Sequence, residues 1–325
     1  MFQLLPQKTV RAARWKTASC TFLSSFALGL LLLTGGCQAA EPAKTSPSGT
    51  LRVVAVESFL TDIAQNVAGT RLTVATLIPL GLDPHEFEPA PQDVAKLADA
   101  DLIIANGAGF ESWLQKTITS AGGKAVVLET SAGLSFRKPG PGETPDPDHP
   151  GDPHFWLDPI SAVHYAENIR DAFIQLDPAG KAAYTQNAAG YIARLTELDR
   201  WIKDQLAPIP AEKRLLVTNH ESLGYFADRY GFRIVGTIIP SVTSGSAPSA
   251  KQLAELANLI RQTGVRAIFL ETGSNPQLAE QLAAETGIQV VSQLTTHSIS
   301  TAGGSAPTYI DMIKFDVKQI VSGLK

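Results

Sequence analysis

Cysteine is almost absent: the 325 residues include two, Cys20 and Cys37. Cys20 lies in a stretch that reads as a cleaved leader, which leaves Cys37 alone. No intramolecular disulfide and no thiolate metal site can then form. Stability must come from a buried core, and 44% apolar composition over roughly 275 folded residues is ample for two domains or lobes. Basic charge is also scarce. Residues 1–36 hold four of the 27 Lys and Arg and no acid, so the remainder carries 23 bases against 31 acids, a net charge of −8. That balance argues against nucleic acid, which needs basic patches. There is no His-Glu-x-x-His helix and no Gly-x-Ser-x-Gly elbow, the usual marks of zinc proteases and serine hydrolases. Gly107-Ala-Gly109 lacks the third glycine of a dinucleotide loop and reads as a turn.

The N-terminus has the form of an export signal. Lys8, Arg11, Arg14 and Lys16 precede an apolar run, Phe22 to Leu33, and then Thr34-Gly-Gly-Cys37. The run is short and serine-containing for a membrane span. Small residues before Cys37 resemble a bacterial lipoprotein cleavage site, with Thr34 where Leu is usual. Residues 1–36 are therefore expected to be a lipoprotein-type signal peptide, with Cys37 lipidated and residues 37–50, rich in Pro, Ser and Ala, a tether. Ordinary cleavage near Ala39 or Ala40, or an uncleaved anchor, are the alternatives.

From Leu51 the chain alternates short apolar runs with helical patterns, the signature of α/β lobes with parallel-rich sheets. Strands are predicted at 51–56, 72–78, 101–105, 125–128, 214–218, 233–237, 267–270 and 289–292. Helices are predicted at 59–68, 91–98, 111–121, 223–230, 249–263 and 276–286, and Asp158-Pro159 is a helix start, an N-cap acid followed by proline. Between Pro178 and Leu206, Tyr184, Ala188, Tyr191, Leu195, Leu198 and Ile202 recur at helical spacing without an internal proline. Such a helix would join the lobes stiffly. The expected organisation is a lobe at 51–177, a linking helix at 178–206 and a second lobe at 207–325, with residues 133–152 an exposed loop.

Four of the six histidines, His85, His154, His220 and His297, follow a predicted strand or open a helix. Ligands in open α/β sheets sit beyond the carboxyl ends of the strands, so all four can converge in the cleft between lobes, two from each. Neutral imidazole is the commonest protein ligand for a transition metal. Asp83-Pro-His85 and Asp152-Pro-His154 share a tripeptide whose proline restricts the backbone before the histidine, and whose aspartates serve equally well as turn formers. His149 reads as a loop histidine and His164 as a packing or surface residue within a helix.

These residues lie in motifs that resemble a known family. Pro79-Leu-Gly-Leu-Asp-Pro-His85-Glu-Phe-Glu-Pro89, Ala98 to Glu111, Asp152-Pro-His154-Phe-Trp-Leu-Asp-Pro159, Asn219-His220-Glu-Ser-Leu-Gly-Tyr-Phe226 and Ala306 to Met312 are similar to the metal-binding solute receptors of ABC importers. This is the zinc/manganese group, cluster A-I, of ZnuA- and TroA-like proteins. The likeness runs from Leu51 to Leu324. It implies two βα lobes bridged by one long helix, with His85, His154 and His220 as ligands. Manganese and iron receptors usually carry Glu at the third position and zinc receptors His. The fourth ligand is commonly Asp in an Asp-Ser-Leu-Ser-like motif, where this chain has His297-Ser-Ile-Ser300. His297 is expected to ligate directly, the alternative being three histidines and a water.

Four imidazoles favour Zn²⁺, which takes tetrahedral nitrogen coordination. Mn²⁺, the less expected ion, favours carboxylate oxygen. Glu86, Glu221 or Glu271 is expected to offset the charge by accepting imidazole N–H bonds. The resemblance implies a receptor that is not an enzyme, monomeric, lipid-anchored at the membrane and periplasmic or on the outer face of the cytoplasmic membrane, delivering the ion to an ABC permease. A manganese or iron receptor, a zinc-dependent hydrolase and an adhesin are the competing functions.

Overall fold

Two four-stranded parallel sheets carry the fold. The computed structural model describes residues 51–140 and 150–325. The leader, Cys37, the tether and His149 lie outside the described residues. The first sheet contains β1 (Val53–Ala55), β2 (Val74–Thr76), β3 (Leu102–Ala105) and β4 (Val126–Glu129), in the order β2-β1-β3-β4. The second contains β5 (Leu215–Thr218), β6 (Arg233–Thr237), β7 (Ala267–Glu271) and β8 (Gln289–Leu294), in the matching order β6-β5-β7-β8. Every pairing is parallel. The two lobes thus share a topology although their sequences show no repeat.

Side chains on alternate residues of a strand face opposite ways, and that alternation sorts the core. Val53 and Ala55 of β1, Leu102 and Ile104 of β3, Leu216 of β5, and Ala267 and Phe269 of β7 all enter one central core. Their neighbours face outward into a separate cluster in each lobe: Val54, Val56 and Ile103 in the first, and Leu215, Val217 and Ile268 in the second. The two sheets therefore turn their inner faces to a single apolar interior.

That interior is filled by helices. They are α1 (Ser58–Ala68), α4 (Pro159–Leu176), α5 (Lys181–Leu206) and α9 (Tyr309–Leu324), while α2 (Pro91–Asp99), α3 (Leu114–Ser120), α6 (Gly224–Tyr230), α7 (Ala250–Thr263) and α8 (Gln277–Thr286) complete the βα units. The Asp158 carboxylate caps α4 by accepting from the Ile160 N–H at 2.8 Å, with Pro159 at the first helical position. The long helix is present, and its first turn, Pro178–Gly180, is 3₁₀, so α5 itself has 26 residues, about 39 Å at 1.5 Å per residue. Its stripe of Tyr184, Ala188, Tyr191, Leu195, Leu198 and Ile202 is buried, facing α4, α1 and α9. No helix of the described residues is long and apolar enough to cross a membrane.

Two helices differ from the sequence reading. The helix expected over 111–121 is shortened to α3, because Gly107, Ala108 and Gly109 take positive φ of 77°, 57° and 83° and the Glu111 carboxylate folds back onto the Asn106 and Gly107 N–H groups. The second is α9, which periodicity had not singled out. It packs on β8 and β7 of the second lobe and on α1 and α5 as well. The Tyr309 N–H donates to Asp62 Oδ2 on α1 at 3.0 Å.

Leu195 is fully buried in the middle of α5. Leu195→Ala is expected to lower the unfolding free energy by about 2–5 kcal/mol through lost burial and the cavity left behind, read as a reduced midpoint in urea denaturation.

Candidate metal centre

Each of the four predicted histidines sits at a chain feature that fixes its backbone. His85 lies in a 3₁₀ turn, Pro84–Glu86, capped by Asp83, whose Oδ1 accepts from the His85 N–H at 2.9 Å. His154 precedes the 3₁₀ turn Phe155–Leu157, and Asp152 Oδ1 accepts from its N–H at 3.0 Å. The paired Asp-Pro-His tripeptides therefore share one aspartate-to-histidine N–H bond, although His85 lies within its 3₁₀ turn and His154 before its own. They differ in one further respect: Asp152 Oδ1 also lies 2.8 Å from His154 Nδ1, so this aspartate orients the ring as well as the backbone. His220 comes two residues after β5, its carbonyl accepting from the Thr218 hydroxyl at 2.9 Å. His297 comes three residues after β8, with its Nδ1 2.8 Å from Thr296 Oγ1.

The four rings converge. One nitrogen from each of His85, His154, His220 and His297 lies within 4.8 Å of all the others. His154 Nε2 is 3.3 Å from His85 Nε2 and 3.3 Å from His220 Nε2, and the buried His297 Nε2 has no hydrogen-bond partner. His154 and His220 are fully buried, His297 is 8% exposed, and His85 is half-buried at the rim. Phe110 closes the floor, edge-on to His85 at 4.7 Å and stacked with His297 at 6.1 Å. His164 stands apart on α4, its Nε2 2.7 Å from the Ala132 carbonyl oxygen.

Glu271, at the end of β7, lies against two of the rings. Its Oε2 is 2.9 Å from His220 Nδ1, off the line of a good hydrogen bond, and 3.9 Å from His297 Nδ1. Oε1 accepts from the Ser222 hydroxyl at 2.9 Å. Burial pushes this carboxyl up, but the two imidazoles and Ser222 outweigh it and hold Glu271 well below the usual carboxylate range. Burial pushes His220 down, and Glu271 more than reverses it, so His220 is raised. His297 is lowered by burial, which its more distant Glu271 contact does not offset. Glu86, another expected partner, is exposed. Asp152 is shared with the Arg137 guanidinium at 3.8 Å.

Side chains from both lobes brace the cluster. Trp156 Nε1 donates to the Thr296 carbonyl at 2.7 Å, Ser244 donates to Asp83 Oδ2 at 2.6 Å, and the Gly81 N–H donates to Ser298 Oγ at 2.9 Å. A cavity of about 1110 Å³ opens beside His297 and Glu271, lined also by Asp83, Asn219 and Ser274. Sequence reasoning missed Asp152 as a ring partner, Trp156 and Phe110. The Asp152-Pro-His spacing carried the only available signal, because the other contacts join residues far apart in the chain.

A second feature escaped the sequence: the acids Glu57 and Glu111, 1% and 8% exposed, are close enough to act on one another. Burial, with the neighbouring Glu111 charge, lifts Glu57 well above the usual range, and burial lifts Glu111 to about 7. Two neighbouring buried carboxyls disfavour a second negative charge, so ionising one raises the other. Asn106, whose N–H donates to Glu111, also donates from its side chain to the Pro153 carbonyl at 3.0 Å, next to His154.

The family model described as zinc-uptake complex component A, periplasmic (ZnuA), matches residues 53–323. The chain is 34% identical over 305 residues to the manganese-binding lipoprotein MntA of Halalkalibacterium halodurans, covering 91% of this chain and 95% of that protein. It is 32% identical over 290 residues to the iron-binding protein YfeA of Yersinia pestis, covering 86% and 89%. Among solved structures, the periplasmic zinc-binding protein TroA from Treponema pallidum superposes with a TM-score of 0.75 at 28% identity, covering 85% of this chain and 99% of that one. A manganese-bound periplasmic metal-binding protein from Candidatus Liberibacter asiaticus gives 0.74 at 29% identity, covering 84% and 99%.

A carboxyl raised in the folded state favours folding while both states hold the proton and loses that advantage as pH rises through the folded value. Glu57→Gln should therefore be more stable than the wild type at pH 8, with the advantage shrinking as pH falls toward 5. Thermal melts of the metal-free proteins at each pH measure this, and a pH-independent difference would count against a raised Glu57 carboxyl.

Proposed function

The chain belongs to the ZnuA family of periplasmic zinc-uptake components, and on that premise we propose that it is an extracytoplasmic receptor that captures Zn²⁺ and hands it to an ABC permease. The family's members are substrate-binding components of metal ABC transporters and not enzymes. Several relatives are named lipoproteins, which supports the reading of residues 1–36 as a signal peptide and Cys37 as a lipidated anchor in the cell envelope, with 37–50 a tether. Lobes at 51–177 and 207–325 joined by the helix at 178–206 remain our working division, and a monomer our working state.

The observation that carries the metal is the donor set. His85, His154, His220 and His297 would supply four imidazole nitrogens. A tetrahedral ion with metal–nitrogen distances of about 2.0–2.1 Å sets its ligand nitrogens about 3.3 Å apart. The contacts of His154 Nε2 with its two neighbours, 3.3 Å each, match such edges. Zn²⁺ accepts this geometry without a ligand-field cost. Glu271 would offset the ion's charge from behind two of the rings while leaving the coordinating atoms nitrogen.

A second reading, a manganese receptor, is favoured by the printed names of several relatives. The donor chemistry weighs against it: Mn²⁺ prefers carboxylate oxygen and sits at the weak end of the affinity series, and the clustered donors are all imidazole.

Competitive titration of the purified protein should give one Zn²⁺ per chain held in preference to Mn²⁺. Stoichiometric manganese retained against equimolar zinc would sink the assignment. His154→Ala should weaken zinc by about a hundredfold, since apparent zinc binding energies of about 10–16 kcal/mol are spread over four ligands. Affinity should also fall as pH drops through about 6.5, because imidazole must lose its proton to ligate. The raised His220 makes the weakening begin above that value, and isothermal titration across pH 5–8 measures it.

A further inference from the structure

Behind His297 lies a buried acid that the proposed metal site does not use. Asp316, on α9, is 5% exposed, and among the described residues no cation lies within ion-pair distance of it. Its Oδ1 accepts from the Thr295 N–H at 2.7 Å and from the Thr295 hydroxyl at 3.0 Å, while Oδ2 has no hydrogen-bond partner. Leaving a carboxyl in an apolar interior is costly, and this one spends both of its hydrogen bonds on a single residue.

That residue begins the arm that carries His297. β8 ends at Leu294, and the next three residues have no strand partner. Each is held from a different place. Thr295 is held by Asp316 on α9, the Thr296 carbonyl by Trp156 of the first lobe, and the His297 Nδ1 by the Thr296 hydroxyl. In the tautomer where Nδ1–H donates to that hydroxyl, the lone pair of Nε2 is free, and Nε2 has no protein partner.

We propose that Asp316 is a positioning residue for His297: by fixing Thr295 at the end of β8 it sets the arm so that His297 Nε2 faces the ion. This rests on the reading of His297 as a ligand. The function needs an acceptor oxygen and not a charge. Burial lifts Asp316 to about 7, so a neutral group in its place is tolerated, and asparagine offers the same acceptor.

The test uses the full mature chain loaded with Zn²⁺ for affinity and with Co²⁺ for the visible ligand-field spectrum, which reports coordination and not fold stability. Asp316→Ala should weaken zinc about tenfold, the lower end of what supporting residues contribute to metal sites, and shift the cobalt spectrum part of the way toward that of His297→Ala. Asp316→Asn should restore both. The double variant Asp316→Ala/His297→Ala should bind no more weakly than His297→Ala alone, because the two changes remove one ligand between them. Wild-type affinity and spectrum in Asp316→Ala, or losses that add in full, overturn the proposal. If Asp316→Ala does not fold, Thr295→Val, which deletes one of the two bonds, should move the cobalt spectrum part of the way, and an unchanged spectrum overturns it. A His297→Ala variant indistinguishable from wild type instead removes His297 from the ligand set, and the positioning role falls with it.

Discussion

Four imidazoles cannot be packed nitrogen to nitrogen in a buried cleft unless something fixes each ring and something answers the charge they attract. That constraint organises the centre of this molecule. Asp152 and Thr296 each touch one Nδ1, and Glu271 lies against two, leaving Nε2 of His154, His220 and His297 turned inward. Phe110 and Trp156 fill the space around the rings. Glu271 makes His220 the ring that takes a proton most readily, while burial keeps His297 neutral. The acids Asp152 and Glu271 lie against ring nitrogens at the outer side of the cluster, and the atoms that converge are imidazole nitrogens.

The fold follows from the same need. Two parallel sheets of identical strand order present their carboxyl ends to the cleft, where irregular backbone is free to carry side chains. Their inner faces share one core, so the lobes are not independent bodies joined by a tether. Ser58 and Ser298 touch at 3.2 Å, the Tyr225 hydroxyl donates to the Asp152 carbonyl, and Arg137 spans to Asp228 on α6. A wide opening would have to break these bonds and expose apolar surface, and the segment bearing His85 is itself tied across by Asp83–Ser244 and Gly81–Ser298.

Much of this was legible in the sequence because it is written in local patterns. Alternating apolar runs gave all eight strands, with β6 matching to the residue, and the stripe from Tyr184 to Ile202 gave α5. The four histidines could be grouped because each follows a strand or turn signal. Contacts between distant residues were not legible. Nothing local in Glu57 announces Glu111, nothing in Asp316 points to Thr295, and of three candidate acids only the folded chain singles out Glu271. The shortening of α3 has a different, local origin: the Glu111 carboxylate turns back onto the Asn106 and Gly107 N–H groups, five and four residues earlier, where a helical pattern beginning at Glu111 was expected.

The last helix has a consequence for the order in which the protein can become itself. α9 packs against α1 and α5 as well as β8, and the Tyr309 hydroxyl reaches the Trp156 carbonyl at 2.6 Å. Residues joined by these contacts are as much as 247 positions apart, as Asp62 and Tyr309 are. Closing loops of that length comes late and slowly. The first lobe, although complete in strands long before, has an open flank until the final sixteen residues of helix arrive. The outer cluster of the first lobe lies wholly within residues 54–127, whereas the interior that both lobes share is complete only with the last helix in place.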